Sequence, residues 1–358
     1  MEKTQTGHSR AWHRRDAELD SAARHTALPG LRFLTPQELD AQRPQLAGHV
    51  LGMIGFGHER SAIRAADHPF AWISLPLLAG DAILEVWTSN TPVVRDDAHG
   101  IAAARNGEVL FGCLEIAEEG NLEAATFQAY CRVFDYLDSR GYGNLLRVWN
   151  YFPRINDDTD GLERYRKFSI GRHDAFIAGR GGISQTEVPA ACALGSLRGV
   201  LVIYFLASRK PGQTVENPRQ MSAYHYPAQY GPRSPTFSRA MLMQTECESA
   251  LFISGTASIV GHETRHAGDA NEQAQETLAN IGAVVTRAAA QQTAPAGDYE
   301  VYLKAYLRDP AYLPAVQTQV RKAFGDTAKV IYLQADICRA DLLLEIEGVF
   351  FDRRGLAA

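Results

Sequence analysis

With 358 residues, 46% of them apolar and 22% charged, and a formal net charge of −5, the chain suits two globular domains and has no compositional mark of disorder. No apolar stretch approaches the roughly 18 residues of a membrane-spanning helix, and the longest, residues 199–208, has strand length. No dense Lys/Arg run supplies the footprint of nucleic-acid binding, which leaves a small-molecule partner as the expectation.

The basic residues near the amino terminus (Lys3, Arg10, Arg14, Arg15) are not followed by an apolar core, so no secretory signal is read there and a cytoplasmic protein is expected. The five cysteines Cys113, Cys131, Cys192, Cys247 and Cys338 are scattered and never form a CxxC pair. That spacing argues against a disulfide framework and against a thiolate zinc knuckle.

Residues 1–45 are polar and mixed in charge, with Pro29-Gly30 and Pro36 as breaks. They are expected to include a loose tail before the first ordered strand. Over 121–140 the apolar Leu122, Ala125, Tyr130, Val133, Phe134 and Leu137 recur at helical spacing and Gly141 follows as a stop, which predicts an amphipathic helix. The β-branched and aromatic run 145–152 predicts a strand ended by Pro153, then a loop over 154–161 and a helical segment over 162–168.

The same order returns further on. Asp269 reads as an N-cap with Glu272 three residues later, opening a helix with Ala274, Leu278, Ile281, Val284 and Val285 on one face. A strand over 299–307, a turn at Arg308-Asp309-Pro310 and a helix marked by Leu313, Val316, Val320 and Phe324 complete the unit. Strand-like runs also cover 199–208, 250–259, 329–336 and 342–350. The recurrence predicts an α+β chain of two diverged halves with mixed β-sheets covered by helices on one face.

Phe252-Ile253-Ser254-Gly255, followed by Gln273-Ala274-Gln275-Glu276-Thr277-Leu278-Ala279-Asn280-Ile281, resembles the YjgF/RidA pattern of a strand ending in Ser-Gly before a Gln-x-x-x-Leu-x-Asn-Ile helix. The run Leu344-Glu345-Ile346-Glu347 resembles that family's terminal strand. Two further segments, Asn150-Tyr151-Phe152-Pro153-Arg154 with Glu163-Arg164-Tyr165-Arg166, and Tyr224-His225-Tyr226-Pro227 through Phe237-Ser238-Arg239, look like the chorismatase family. Members of that family have a RidA-like C-terminal domain and convert chorismate with release of pyruvate. The domain reading is a partly flexible tail to residue 45, an N-terminal chorismatase domain over 46–190 and a RidA-like domain over 195–358.

Chorismate carries two carboxylates and an enol ether, so its site needs planar cations and a proton donor. Arg154 and Arg239, each in an aromatic and proline-rich loop, are the expected carboxylate partners. Tyr165 and Tyr226 are the expected hydroxyl donors, with Tyr224 and Tyr230 competing with Tyr226. Alternation sets Glu345 opposite Leu344 and Ile346, where burial would raise its pKa toward that of a general acid; the resemblance implies that it protonates the enolpyruvyl group. The bland alternative puts Glu345 and Glu347 on the solvent face of an edge strand. Cys338 looks like the cysteine of chorismatases that form an aromatic hydroxybenzoate, and Gly255 would leave room beside the ring.

His262-Glu263-Thr264-Arg265-His266 matches HExxH, which binds zinc only when both histidines share a helix face. Flanking glycines and the RidA-like alignment set a hairpin here, so no metal is expected. The resemblance implies cofactor-free conversion of chorismate to pyruvate and 3-hydroxybenzoate, with or without 4-hydroxybenzoate, by a monomer or weak oligomer that binds neither nucleic acid nor membrane. Hydrolysis to a dihydroxycyclohexadiene acid, RidA-type imine hydrolysis and non-catalytic metabolite binding are the rival readings. The imine reading wants an arginine where the chain has Ala328-Lys329.

Overall fold

The computed structural model describes residues 28–60, 67–245, 248–292 and 298–352. The long helix of the first half spans Leu122–Arg140. Asn121 caps it by accepting from the Ala124 amide, and Gly141 ends it in the left-handed region, as expected where a chain must turn off a helix. The strand Asn144–Pro153 follows. The next helix runs Arg164–Arg180, ten residues and more beyond the segment read from sequence. It continues because small and aromatic residues keep facing the first helix: a Cβ at Gly171 would collide with the Glu123 carbonyl.

In the second half Asp269 caps the helix Ala270–Ala289. The strand Glu300–Leu307, the helix Leu313–Phe324, and the strands Lys329–Gln334 and Leu344–Asp352 follow. Each half builds six strands of a seven-stranded mixed sheet and lends one short strand, Leu77–Ala79 or Asp336–Ile337, to the other. In the first, strands Ala102–Arg105, Val109–Ile116, Leu201–Ser208, Asn144–Pro153 and Ala190–Ser196 lie side by side; in the second, Ala240–Gln244, Ser249–Thr256, Leu344–Asp352, Glu300–Leu307 and Lys329–Gln334 take the same places. In both, the last strand in the chain is inserted antiparallel to the strand after the long helix, and that strand pairs in parallel with the next one. The two diverged halves therefore share one topology. The run Leu201–Ser208 completes the first sheet, beyond the 190–195 division read from sequence.

Residues 28–45 are ordered, whereas a loose tail was expected there; residues 1–27 lie outside the described residues. Gly30–Leu34 is a strand and Pro36–Leu46 a helix opened by a Thr35/Glu38 capping box. With Val50–Phe56, Phe70–Ile73 and Leu84–Thr88 they form a four-stranded sheet. Its order and strand directions repeat those of Ser249–Thr256, Leu344–Asp352, Glu300–Leu307 and Lys329–Gln334. The chain thus holds a third, abbreviated copy of the same unit.

Helices cover one face of each large sheet, and the other faces meet. The central core joins Leu51, Ile54 and Phe56 of the small sheet with Trp149 and Tyr204 of the first and Phe252 and Tyr306 of the second. Each large buried side chain there contributes roughly 1.5–3 kcal/mol, so the three sheets behave as one body. The cleft lies between the two large sheets, where the strand Ala190–Ser196 of the first meets Ser249–Thr256 of the second.

Candidate active site

The strand Leu344–Asp352 alternates: Leu344 and Ile346 pack under the helices, while Glu345 and Glu347 point the other way and are both buried. Glu345 faces the strand Ala190–Ser196 of the first half. Ser254 joins the two sheets, accepting from the Ala191 amide at 2.8 Å and donating to the Ser238 carbonyl at 2.5 Å. Next to it, a Cβ on Gly255 would overlap the Glu345 carboxyl and stand 3.0 Å from Cys192 Cβ. Glycine is required there by the acid itself, in addition to any room it leaves for a ligand.

A cavity of about 530 Å³ opens over Glu345, within the usual range for small-molecule sites. Tyr165, Tyr226, Arg239, Gly255, Cys338 and Glu345 all line it. A narrower recess continues past Glu345 and Cys338 to Phe168 and Arg172. The rim comes from three segments distant in sequence: the start of the helix Arg164–Arg180, the loop ahead of the strand Ala240–Gln244, and the turn after Asp336–Ile337.

The cations of the cleft are held by aromatic rings and lack full partners, which is costly unless an anion joins them. Arg239, 5% exposed, donates from Nη2 to the Tyr226 hydroxyl at 2.8 Å and to the Met221 carbonyl at 2.5 Å. Arg339 stacks over Tyr230 at 3.9 Å and donates to the His262 carbonyl at 2.9 Å. Arg172 lies over Tyr130 at 5.2 Å. Arg239 Nε, Arg339 Nη2, and both Nε and Nη2 of Arg172 have no hydrogen-bond partner among the described residues. Glu216 stands near Arg239; burial pushes its carboxyl up, against the pull of that arginine.

Burial pushes the Glu345 carboxyl up to about 8, against the lowering effect of Arg147. It therefore holds its proton at neutral pH and can give it to a ligand. Burial also pushes the Cys338 thiol up to about 12, with the Glu345 charge adding to the rise. The thiol therefore stays protonated near neutral pH. Tyr165 is held well above the usual phenol range by burial.

Arg154 is a correction. It is exposed, sits in the turn after Asn144–Pro153 with φ of 56°, and does not line the cleft. The turn carries it to the surface, and the helix behind it delivers Tyr165, Arg166 and Arg172 instead. Arg339 and Arg172 were missed. The first stood one residue from Cys338 without an aromatic-rich context of its own, and the second lies on a helix whose polar sequence shows little apolar periodicity. Of the competing tyrosines, Tyr226 and Tyr230 line the cleft and Tyr224 does not.

The HExxH segment forms a hairpin, Ile259–Val260 with Glu263–Thr264. His262 meets Tyr230 at 3.2 Å while His266 meets Glu276 at 3.2 Å, so the two imidazoles have separate partners. Lys329 is engaged by Glu300 at 2.5 Å and Tyr302 at 2.8 Å, and it is not among the residues lining the cleft. Among the described residues no helix is long and apolar enough to cross a membrane.

Tandem halves of one topology, enclosing a carboxyl that burial pushes up and arginines with incomplete partners, form a cleft suited to a small anionic molecule. Residues 85–207 match the family model described as chorismatase FkbO/Hyg5-like, N-terminal. The chain is 36% identical over 318 residues to a 3-hydroxybenzoate synthase of Streptomyces hygroscopicus, covering 86% of this chain and 93% of the relative. It is 37% identical over 316 residues to a chorismatase of the same species, covering 86% and 91%. A crystal structure of a chorismatase superposes with a TM-score of 0.80 at 36% identity, over 90% of this chain and 98% of the other. The chain belongs to the chorismatase family of enzymes.

Proposed function

We propose that this enzyme converts chorismate to pyruvate and 3-hydroxybenzoate without a cofactor. The observation that carries the reading is the buried Glu345, whose carboxyl burial pushes up to about 8, in a cleft whose arginines keep guanidinium nitrogens without partners among the described residues. Two carboxylates of the substrate would satisfy Arg239 with Arg339 on one side and Arg172 on the other, as bidentate guanidinium contacts favour. Tyr226 and Tyr165 flank these cations and offer hydroxyls to the same groups.

Glu345 gives its proton to the enolpyruvyl methylene, which turns the vinyl ether into an oxocarbenium ion and weakens the ether bond to the ring. The C4 hydroxyl displaces the departing pyruvate at C3 and returns its proton to the Glu345 carboxylate; the C4–O bond of the epoxide so formed opens with protonation of its oxygen, and loss of the C3 hydrogen as a proton leaves an aromatic ring with its hydroxyl at C3. This sequence needs no net water, since chorismate and the two products contain the same atoms. Release of a dihydroxycyclohexadiene acid takes up one water molecule. Cys338, as a neutral thiol beside the ring, favours the first outcome by occupying the place from which water would approach.

The test is to mix the purified enzyme with chorismate, follow pyruvate, and separate the ring acids by chromatography. Pyruvate and 3-hydroxybenzoate in equal amounts are expected. Cys338→Ala should keep pyruvate release and move product toward the diene diol or 4-hydroxybenzoate. No pyruvate from the wild-type chain would defeat the reading, and an unchanged product mixture from Cys338→Ala would remove the thiol from it.

A further inference from the structure

Where the three sheets meet beside Glu345, four charged side chains are shut in together: Glu85, Arg147, Lys304 and Glu347, each at most 5% exposed. Lys304 Nζ lies 2.5 Å from Glu85 and 3.0 Å from Glu347. Arg147 pairs with Glu347 and donates to the Val148 carbonyl at 3.1 Å. The remaining lone pairs are used as well. Trp87 Nε1 donates to Glu85 at 2.7 Å, Tyr204 donates to Glu85 at 3.0 Å, and Tyr306 donates to Glu347 at 2.5 Å. None of the four charged residues lines the cleft or its recess.

Stability does not account for this cluster. Buried ion pairs can often be replaced by apolar residues at no loss, and the surrounding core is apolar and aromatic. Its geometry relates it to the acid. Glu347 stands two positions from Glu345 on the same strand face, and Tyr306, its hydrogen-bond donor, is the register partner of Glu345. The other groups that act on Glu345 or are acted on by it are Cys192, Cys338 and Tyr165, from three other elements. All three are pushed up by burial and stay neutral, so Arg147 is the charge that acts on the acid.

We propose that Glu85, Arg147, Lys304 and Glu347 form one positioning unit with zero net charge, which fixes Arg147 beside Glu345 and so sets the pH range over which the acid keeps its proton. Glu347 anchors the guanidinium. Arg147 and Glu347 balance each other, and Lys304, bridging Glu347 to Glu85, is balanced by Glu85. Glu85 comes from the small amino-terminal sheet, which supplies none of the residues lining the cleft or its recess. The abbreviated third copy of the fold is thereby retained as an electrostatic part of the active site.

The inference rests on Glu345 being the acid of the proposed reaction, and its test reads the carboxyl directly so that the two can fail separately. The protonated-carboxyl infrared band of Glu345 is titrated in the full-length chain, as the difference between each protein and the same protein carrying Glu345→Gln. Glu85→Gln leaves one excess positive charge and should lower the midpoint by about one pH unit; Lys304→Met leaves one excess negative charge and should raise it by about as much. The double variant is neutral again and should return to within about 0.3 units of wild type.

Midpoints that stay put in both single variants, or that move in the same direction, would overturn the proposal. If one single variant does not fold, the other, read against the neutral double variant, carries the same claim. Glu345→Gln that still turns over chorismate would sink the catalytic reading while leaving these midpoints interpretable.

Discussion

The last strands of the two halves, Leu201–Ser208 and Leu344–Asp352, occupy the same place in their sheets and do different things. In the second half Tyr306 lies across from Glu345, and two residues on Lys304 lies across from Glu347 in reverse register. In the first half Tyr151 lies across from Val202, and Trp149 from Tyr204. The equivalence is physical, since the hydroxyls of Tyr151 and Tyr306 meet at 2.7 Å. The acid position of one half is therefore a valine in the other. The neighbouring strand differs to match: Gly255 makes room for Glu345, whereas Glu115 lies across from Val202.

The cleft beside Val202 also differs in kind. It has about 340 Å³ and is lined by His58, Arg60, Trp72 and Arg198 among others. Arg198 is already engaged by Glu59 at 3.5 Å and is largely exposed. Duplication of a fold thus yields two similar grooves, of which one buries a carboxyl next to incompletely partnered cations.

The sharpest break of this contrast is Glu345→Gln, which keeps the shape and removes the transferable proton. Turnover of chorismate should fall by about 10² to 10⁴, with little change in KM. Next is a pair of variants at matched positions. Gly255→Ala forces the carboxyl aside and should cost about tenfold to a hundredfold in turnover, as small misplacements of reacting groups do. Glu115→Ala, at the counterpart position, should change turnover by less than about twofold. Steady-state kinetics on the three variants decide both points, and equal losses at Gly255 and Glu115 would abolish the distinction between the grooves.

The smallest effect concerns pH and stability. Glu345 in the folded chain titrates near 8, above its ordinary value of 4.5, so the native state binds a proton that the unfolded state releases. This contribution to stability is full below about pH 4.5 and is lost as pH rises through about 8. Glu345→Gln should therefore melt higher than wild type at pH 8, with a difference that shrinks toward pH 5. A constant difference across that range would mean that Glu345 is not held protonated.

Much of the frame was legible in the chain. Apolar periodicity with Gly141 as a stop and Asp269 as an N-cap located the long helices, and alternation around Glu345 located the acid face. Six of the seven residues chosen for the site line one cleft. What escaped depends on contacts between distant segments. Nothing local marks Glu85 as the partner of Lys304, since the two are 219 residues apart. Arg154 looked better placed than Arg172 because its neighbours are aromatic, yet a turn exposes the first and helix packing buries the second. The ordered strand Gly30–Leu34 and helix Pro36–Leu46 fell within the stretch read as including a loose tail, because both are short and Pro36, next to the Thr35 cap, resembled a break.

The central claim is that a solvent-exchangeable proton on Glu345 reaches the enolpyruvyl methylene. Conversion of chorismate in deuterium oxide, with the pyruvate reduced to lactate as it forms, reads this directly by mass spectrometry. One deuterium in the methyl group is predicted for the wild-type enzyme; a methyl group without deuterium would mean that the hydrogen comes from the substrate itself and would contradict the account.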